Sequence, residues 1–242
     1  MKQNKNYIKS SLFYLSAMGL LASSAHAATI VTYEFAGGSP SPTNIATGVV
    51  AQSFAFSDAS SGESGATDIG FSSSSLGGYV RTLALGTSEA AALADDDYFT
   101  FTISAENPGE LLDLESMTFD YGASNSSSFD ATISTYIQSD VGGFGTGNPV
   151  IYSDSVVVPQ GTTAGGAYVS TGNTVVLSGL APAESYTFQF RFASSLQNGN
   201  IIARFGDVAV DGAVIPEPNA IGFALLSMVG LLAYRVRASR KK

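Results

Sequence analysis

Apolar side chains recur at every second position through much of this chain, and that period admits one kind of backbone. In Phe99-Thr100-Phe101-Thr102-Ile103 they hold the odd positions, and in Tyr186-Thr187-Phe188-Gln189-Phe190-Arg191-Phe192 the even ones. Successive side chains of an extended strand point to opposite faces, so the alternation predicts strands with one face buried and one face wet. The same pattern runs through 31–35, 117–121 and 129–137. Segments 52–56, 79–85, 150–158, 173–177, 201–205 and 208–214 are further candidates. Between them lie clusters of Gly, Ser, Asn, Asp and Pro such as Gly142-Gly143-Phe144-Gly145-Thr146-Gly147-Asn148-Pro149.

About ten short strands joined by turn-rich segments describe an all-β chain, a sandwich of the jelly-roll kind. Only 87–94 has the makings of a helical turn or two, which argues against α/β folds. The 242 residues contain no Cys, so stability must come from packing. Burying one face of ten strands contributes roughly 1.5 to 3 kcal/mol per large apolar side chain, enough to offset chain entropy without disulfides. One domain over 28–215 is expected, with a long Ser/Gly loop around 60–75.

Charge is partitioned along the chain. Lys2, Lys5 and Lys9 stand at the start and Arg235, Arg237, Arg240, Lys241 and Lys242 at the end. Between them only Arg81, Arg191 and Arg204 oppose all 20 acidic residues. Such a body repels phosphate backbones, which excludes nucleic acid as a partner.

The basic start precedes the apolar run 12–22 and then Ala25-His26-Ala27, the order of a secretory signal peptide. Residues 1–27 are therefore expected to direct Sec export and to be removed by signal peptidase after Ala27, with Ala25 and Ala27 as the small residues read. His26, the only histidine of the chain, leaves with them. At the other end Pro216-Glu217-Pro218 precedes sixteen uncharged residues, 219–234, apolar on every side, and then the basic cluster. As a helix that stretch reaches about 24 Å, a short single transmembrane span with its positive end in the cytoplasm.

Pro216-Glu217-Pro218, the short span and the basic end together resemble the PEP-CTERM sorting signal of Gram-negative bacteria over residues 216–242. The resemblance implies export, tethering at the inner membrane, and processing by an exosortase that recognises Pro216, Glu217 and Pro218. It also implies an association with exopolysaccharide and biofilm matrix at the cell surface. The body resembles the jelly-roll modules of exported bacterial proteins, among them carbohydrate-binding modules, through Phe188-Gln189-Phe190-Arg191-Phe192 and Phe205-Gly206-Asp207-Val208-Ala209-Val210-Asp211-Gly212.

Catalysis by a nucleophilic triad needs a base that titrates near neutrality, and the mature chain has neither His nor Cys. No catalytic residue is assigned. Two carboxylates alone can cleave glycosides, and Asp120 and Asp130, on the polar faces of strands expected to be neighbours, are the pair to consider. Calcium prefers six to eight oxygens, which an acidic body offers. Asp95, Asp96 and Asp97 in one loop form one candidate site, and Glu34 with Asp207 another if the first and last strands pair. Sugar recognition relies on exposed aromatic faces beside polar groups. Tyr79, Tyr136, Tyr152 and Tyr168 are the candidates, with Arg81 and Gln138 as hydrogen-bonding neighbours. Arg191 and Arg204 are expected as ion-pair partners that fix strand register.

The leading expectation is a non-catalytic envelope or matrix protein with a structural or adhesive role. A carbohydrate-binding module that holds extracellular polysaccharide is the alternative, and an acid-only glycosidase or lyase ranks behind it.

Overall fold

The computed structural model describes residues 27–57, 69–72, 76–81, 85–94, 96–162, 168–197 and 201–216. The signal-peptide core, Ala25, Asp95, Glu217, Pro218 and the apolar span 219–234 lie outside the described residues. No helix among the described residues is long and apolar enough to cross a membrane.

Among the described residues, thirteen strands form two antiparallel sheets packed face to face. The first sheet has the order β11 (Tyr168–Val176), β8 (Leu111–Asn125), β13 (Ile201–Ile215), β1 (Ala28–Tyr33) and β2 (Asn44–Ile45). The pair β5 (Ile69–Phe71) and β6 (Gly78–Arg81) joins β13 beside β1. The second sheet has the order β10 (Tyr152–Val158), β9 (Ala131–Ser139), β12 (Ser185–Ser194), β7 (Tyr98–Ala105) and β3 (Val49–Ala51), and β4 (Ala55–Ser57) also pairs with β7. The one α-helix among the described residues, α1 (Glu89–Ala94), follows the expected position and lies against β12.

The alternation read from the sequence is the alternation of burial. Phe99, Phe101 and Ile103 meet Phe188, Phe190 and Phe192 between the sheets, each no more than 2% exposed. Across the gap, Phe205 of β13 lies 4.6 Å from the Phe99 ring and 5.3 Å from those of Phe35 and Phe190. Edge-to-face and offset ring pairs of this kind add attraction beyond the area they bury. Phe205 fits because its partner across the strands is Gly78, where an added Cβ would stand 2.0 Å from the ring.

Bulges break the alternation in β8, β1 and β13, and the register of β11 shifts between Ser170 and Asn173. Along β8 the buried positions run Leu112 and Leu114, then Met117, Phe119 and Tyr121, because Ser116 pairs with Asp211 and Leu114 with Gly212, leaving Glu115 over. Likewise Ile30 is skipped between the Thr29 and Val31 pairings of β1. In β13 the extra residue falls between Gly206 and Ala209, where Asp207 adopts φ 47°. Sequence alternation predicts two strands at this point, 201–205 and 208–214; the structure shows one strand with a bulge that changes partners. Before the bulge β13 pairs with β6, and after it with β1.

Two further boundaries differ from expectation. The segment 52–56 is not one strand: Phe54 dips into the core between β3 and β4. Residue 129 does not begin β9, for the chain first crosses from one sheet to the other through 126–130.

Candidate functional site

Three of the tyrosines singled out in the sequence occupy three different surfaces, and Tyr168 begins the edge strand β11, paired through its backbone with Ala123. Tyr79 lies on the outer face of the first sheet, paired with Arg204 on one side and Gly70 on the other. Its hydroxyl would sit 3.2 Å from a Cβ placed on Gly70, so the ring lies along that strand. Arg204 donates from Nη1 to Ser72 Oγ at 3.3 Å. Arg81 pairs with Ile202 through its backbone.

Tyr136 faces the opposite way, outward from the second sheet, yet it is only 9% exposed because Ala92 and Leu93 of α1 pack with it beside Ala193 of β12. The same cover buries two polar side chains. Gln138 clasps the loop after β9, donating from Nε2 to the carbonyls of Gly145 and Asn148 at 3.0 and 3.2 Å and accepting from Gly145 N at 2.9 Å. Arg191 donates to Gln189 Oε1 at 2.8 Å and to Ala92 O at 3.2 Å, and its guanidinium stacks 4.6 Å from the Tyr98 ring centre. This face is therefore a polar layer sealed beneath a helix, with Tyr136 and Gln138 inside it.

Tyr152 is placed differently. The strands β10 and β11 are the open edges of the two sheets on one side of the sandwich, and Tyr152 links them. Tyr152 Oη donates to Asn173 Oδ1 of β11 at 3.5 Å, and its ring meets Phe119 edge-on at 5.3 Å. Two residues along, Asp154 is exposed and accepts a 2.6 Å hydrogen bond from Tyr121 Oη of the facing sheet. Burial, and then the nearby charge and hydrogen bond of Asp154, push the Tyr152 hydroxyl up to about 12. Beneath Asp154 on the adjoining strand is Thr135, fully buried, whose hydroxyl has no hydrogen-bond partner among the described residues. A buried hydroxyl left unsatisfied costs about 1 to 3 kcal/mol.

The seam thus presents an aromatic edge, a carboxylate, two phenolic hydroxyls and a carboxamide in one row. At neutral pH the Tyr152 hydroxyl keeps its proton, so it offers hydrogen bonds rather than acid-base exchange. The sequence points to Tyr152 through its exposed-aromatic pattern but not to Asp154, Asn173 or Tyr121. A signal for them exists: in β10 the inward positions read Tyr152, Asp154, Val156 and Val158, an acid on the apolar phase.

The paired-acid reading is corrected by the topology. Asp120 lies on β8 in the first sheet, where its Oδ1 accepts from Gly172 N at 2.7 Å. Asp130 precedes β9 of the second sheet and accepts from Gln160 N at 2.8 Å. Strands β8 and β9 are consecutive in sequence but belong to different sheets, so the two carboxylates do not share a face.

For calcium, β1 and β13 do pair, and the register that joins Tyr33 to Val208 brings Glu34 opposite Asp207. Burial, then the charges of Asp120 and Glu34, raise the Asp207 carboxyl above its ordinary range. In the other candidate loop Asp96 is exposed and Asp97 buried. No group of three or more acidic or histidine side chains able to hold a metal ion occurs among the described residues.

No family model and no curated protein matches the chain. Among solved structures, a carbohydrate-binding module of type CBM4 is 15% identical, over 66% of this chain and 87% of its own, with a TM-score of 0.39. TmCBM27, a carbohydrate-binding module that recognises mannan, is 10% identical over 78% and 99%, with a TM-score of 0.40. The K3 cleaved adhesin domain of Lys-gingipain from Porphyromonas gingivalis W83 is 16% identical over 76% and 98%, with a TM-score of 0.37.

Proposed function

We propose that this chain is an exported, non-catalytic sandwich that binds extracellular polysaccharide. Its N-terminal leader would carry it through the Sec pathway, and its tail would tether it at the inner membrane until an exosortase acts at Pro216-Glu217-Pro218. One observation carries the binding reading: the seam between β10 and β11, where Tyr152, Asp154 and Asn173 line an open edge. Aromatic carbon beside directed hydrogen-bond groups is what a sugar ring requires, since its faces are apolar and its rim is hydroxylated. A purely adhesive scaffold has no need of a half-exposed polar row above an unsatisfied buried hydroxyl.

Retardation of the purified chain in native gels containing soluble polysaccharides tests this. Retardation by at least one of a panel of galactomannan, xyloglucan, hydroxyethylcellulose and alginate is expected, and Tyr152→Ala and Asp154→Asn should weaken it. Unretarded migration in every gel would overturn the reading. The tail is tested by fractionation: the full chain should sediment with membranes and a chain ending at residue 215 should not.

A further inference from the structure

The loop between β8 and β9 holds an aromatic ring away from the core on a stiff mount. Phe129 is 70% exposed, and its backbone is fixed from both sides. Its carbonyl accepts from Asn125 Nδ2 at 2.8 Å and lies 2.8 Å from Ser127 Oγ, while its own N–H donates to Ser127 Oγ at 3.3 Å. Asn125 is fully buried and spends its whole amide on holding this loop. Its Nδ2 also donates to Val158 O at 3.0 Å, and its Oδ1 accepts from Ser127 N at 3.0 Å; the single Ser127 hydroxyl proton lies between this Oδ1, at 2.6 Å, and the Phe129 carbonyl. The neighbouring turn is locked on as well, through Gln160 N to Asp130 Oδ1 at 2.8 Å and Asn125 N to Thr162 O at 2.6 Å. A ring held in this way loses little conformational freedom when something covers it.

Strand direction gives the loop its place in the molecule. β13 begins beside Asn125 and ends beside Leu111, so Ile201 lies at the Phe129 pole and Ile215 at the other. Ala28 pairs with Gly212, which brings the start of β1 to that second pole too. The 15 residues of β13 span about 45 Å. Ala28 and Ile215 therefore both lie at the pole opposite Phe129.

We propose that Phe129, flanked by Ser128 and Asp130, is a stacking platform for one pyranose ring of a neutral polysaccharide, presented at the pole opposite Ala28 and Ile215. This inference rests on the polysaccharide-binding reading and adds a second contact to it, at the end of the same β10 edge that carries Tyr152. One ring set among exposed polar side chains is far too small for a stable protein interface, which buries about 1,200 Å² or more. It matches one sugar ring, with the exposed Asp130 carboxylate, held by Gln160 N, next to it in the chain to accept hydrogen bonds at the rim. Neutrality follows from charge: a body with three arginines against its many acids repels an anionic polymer, and Asp130 stands beside the platform.

Native gels with galactomannan, xyloglucan or hydroxyethylcellulose, and with alginate as the anionic counterpart, test the proposal on the full chain. Phe129→Ala should weaken retardation in a neutral gel about tenfold at an unchanged melting temperature, and Phe129→Trp should restore it. Alginate should not retard the protein. If Tyr152→Ala abolishes retardation and Phe129→Ala leaves it intact, the platform is refuted while the binding reading stands. Loss in Phe129→Ala that Phe129→Trp does not restore, or retention by alginate alone, also refutes it. No retardation of the wild-type chain in any gel refutes both.

Discussion

The phenolic hydroxyl of Tyr121 reaches across the gap between the sheets to Asp154, its ring buried and its partner in solvent, at 2.6 Å. A hydrogen bond to a carboxylate contributes about 1.5 to 3 kcal/mol when shielded and less at a wet edge. In a double-mutant cycle, Tyr121→Phe and Asp154→Asn should show a coupling of about 1 kcal/mol in urea unfolding. Additive effects would mean the two sheets are not joined by this bond.

Asp207 should be a liability at neutral pH. Its carboxyl is raised by burial and by the charges of Asp120 and Glu34, so the folded state holds its proton more tightly than the unfolded chain does. Stability from this group is present at acid pH and is lost as pH rises from the ordinary carboxylate value through the raised one. Asp207→Asn should therefore melt higher than wild type at pH 7, with the difference vanishing near pH 3. Asn also tolerates the left-handed backbone at this bulge, whereas Asp207→Val should melt lower. Added salt should narrow the Asn advantage, because exposed charges are screened over about 8 Å at physiological strength.

Tyrosines govern the alkaline limit. The Tyr152 hydroxyl is raised to about 12, and burial raises those of Tyr33 and Tyr186 as well. The unfolded chain ionises these groups near pH 10, so folded stability falls as pH climbs from about 10 towards 12. Melting temperature measured between pH 9 and 11.5 should decline, and less steeply in Tyr152→Phe. Equal slopes would show that Tyr152 is not shielded.

Gly78 is where the core tolerates no side chain. Gly78→Ala drives a methyl into the Phe205 ring, and overpacking of this kind costs about 1 to 3 kcal/mol. Gly179, which has open space where a Cβ would stand, should accept alanine with little change in urea midpoint. A similar midpoint for the two variants would contradict the ring placement.

Strand identity is legible in the sequence because it is a local property: the phase of residues 99–103 and 186–192 states directly which side chains are buried. Sheet membership is not. Asp120 and Asp130 sit on or beside consecutive strands, and whether those strands pair depends on the turn at 126–130, where Asn125 and Ser127 capture the backbone. The same hydrogen bonds explain why Phe129, in phase with Ala131 and Ile133, is not the first residue of a strand. Tyr136 lies on the polar phase and yet is buried, because α1 and the loop after β9 arrive from elsewhere in the chain to cover it. The edge site combines residues from β8, β10 and β11, and only the inward acid of β10 hints at it.

The position of β13 has a consequence for how the molecule comes into being. It is the last strand among the described residues, yet it lies in the interior of its sheet, with β8 along one side and β6 and β1 along the other. Whenever the polypeptide emerges N-terminus first, β6 lacks its main partner until residues 202–205 are clear, and β1 until residues 208–212 are. Closure then joins positions as distant as Ala28 and Gly212, a step of high contact order and slow nucleation. Until its closing residues are free, the first sheet lacks the strand that joins β8 to β1 and the Phe99 and Phe190 rings lack Phe205 as their cover.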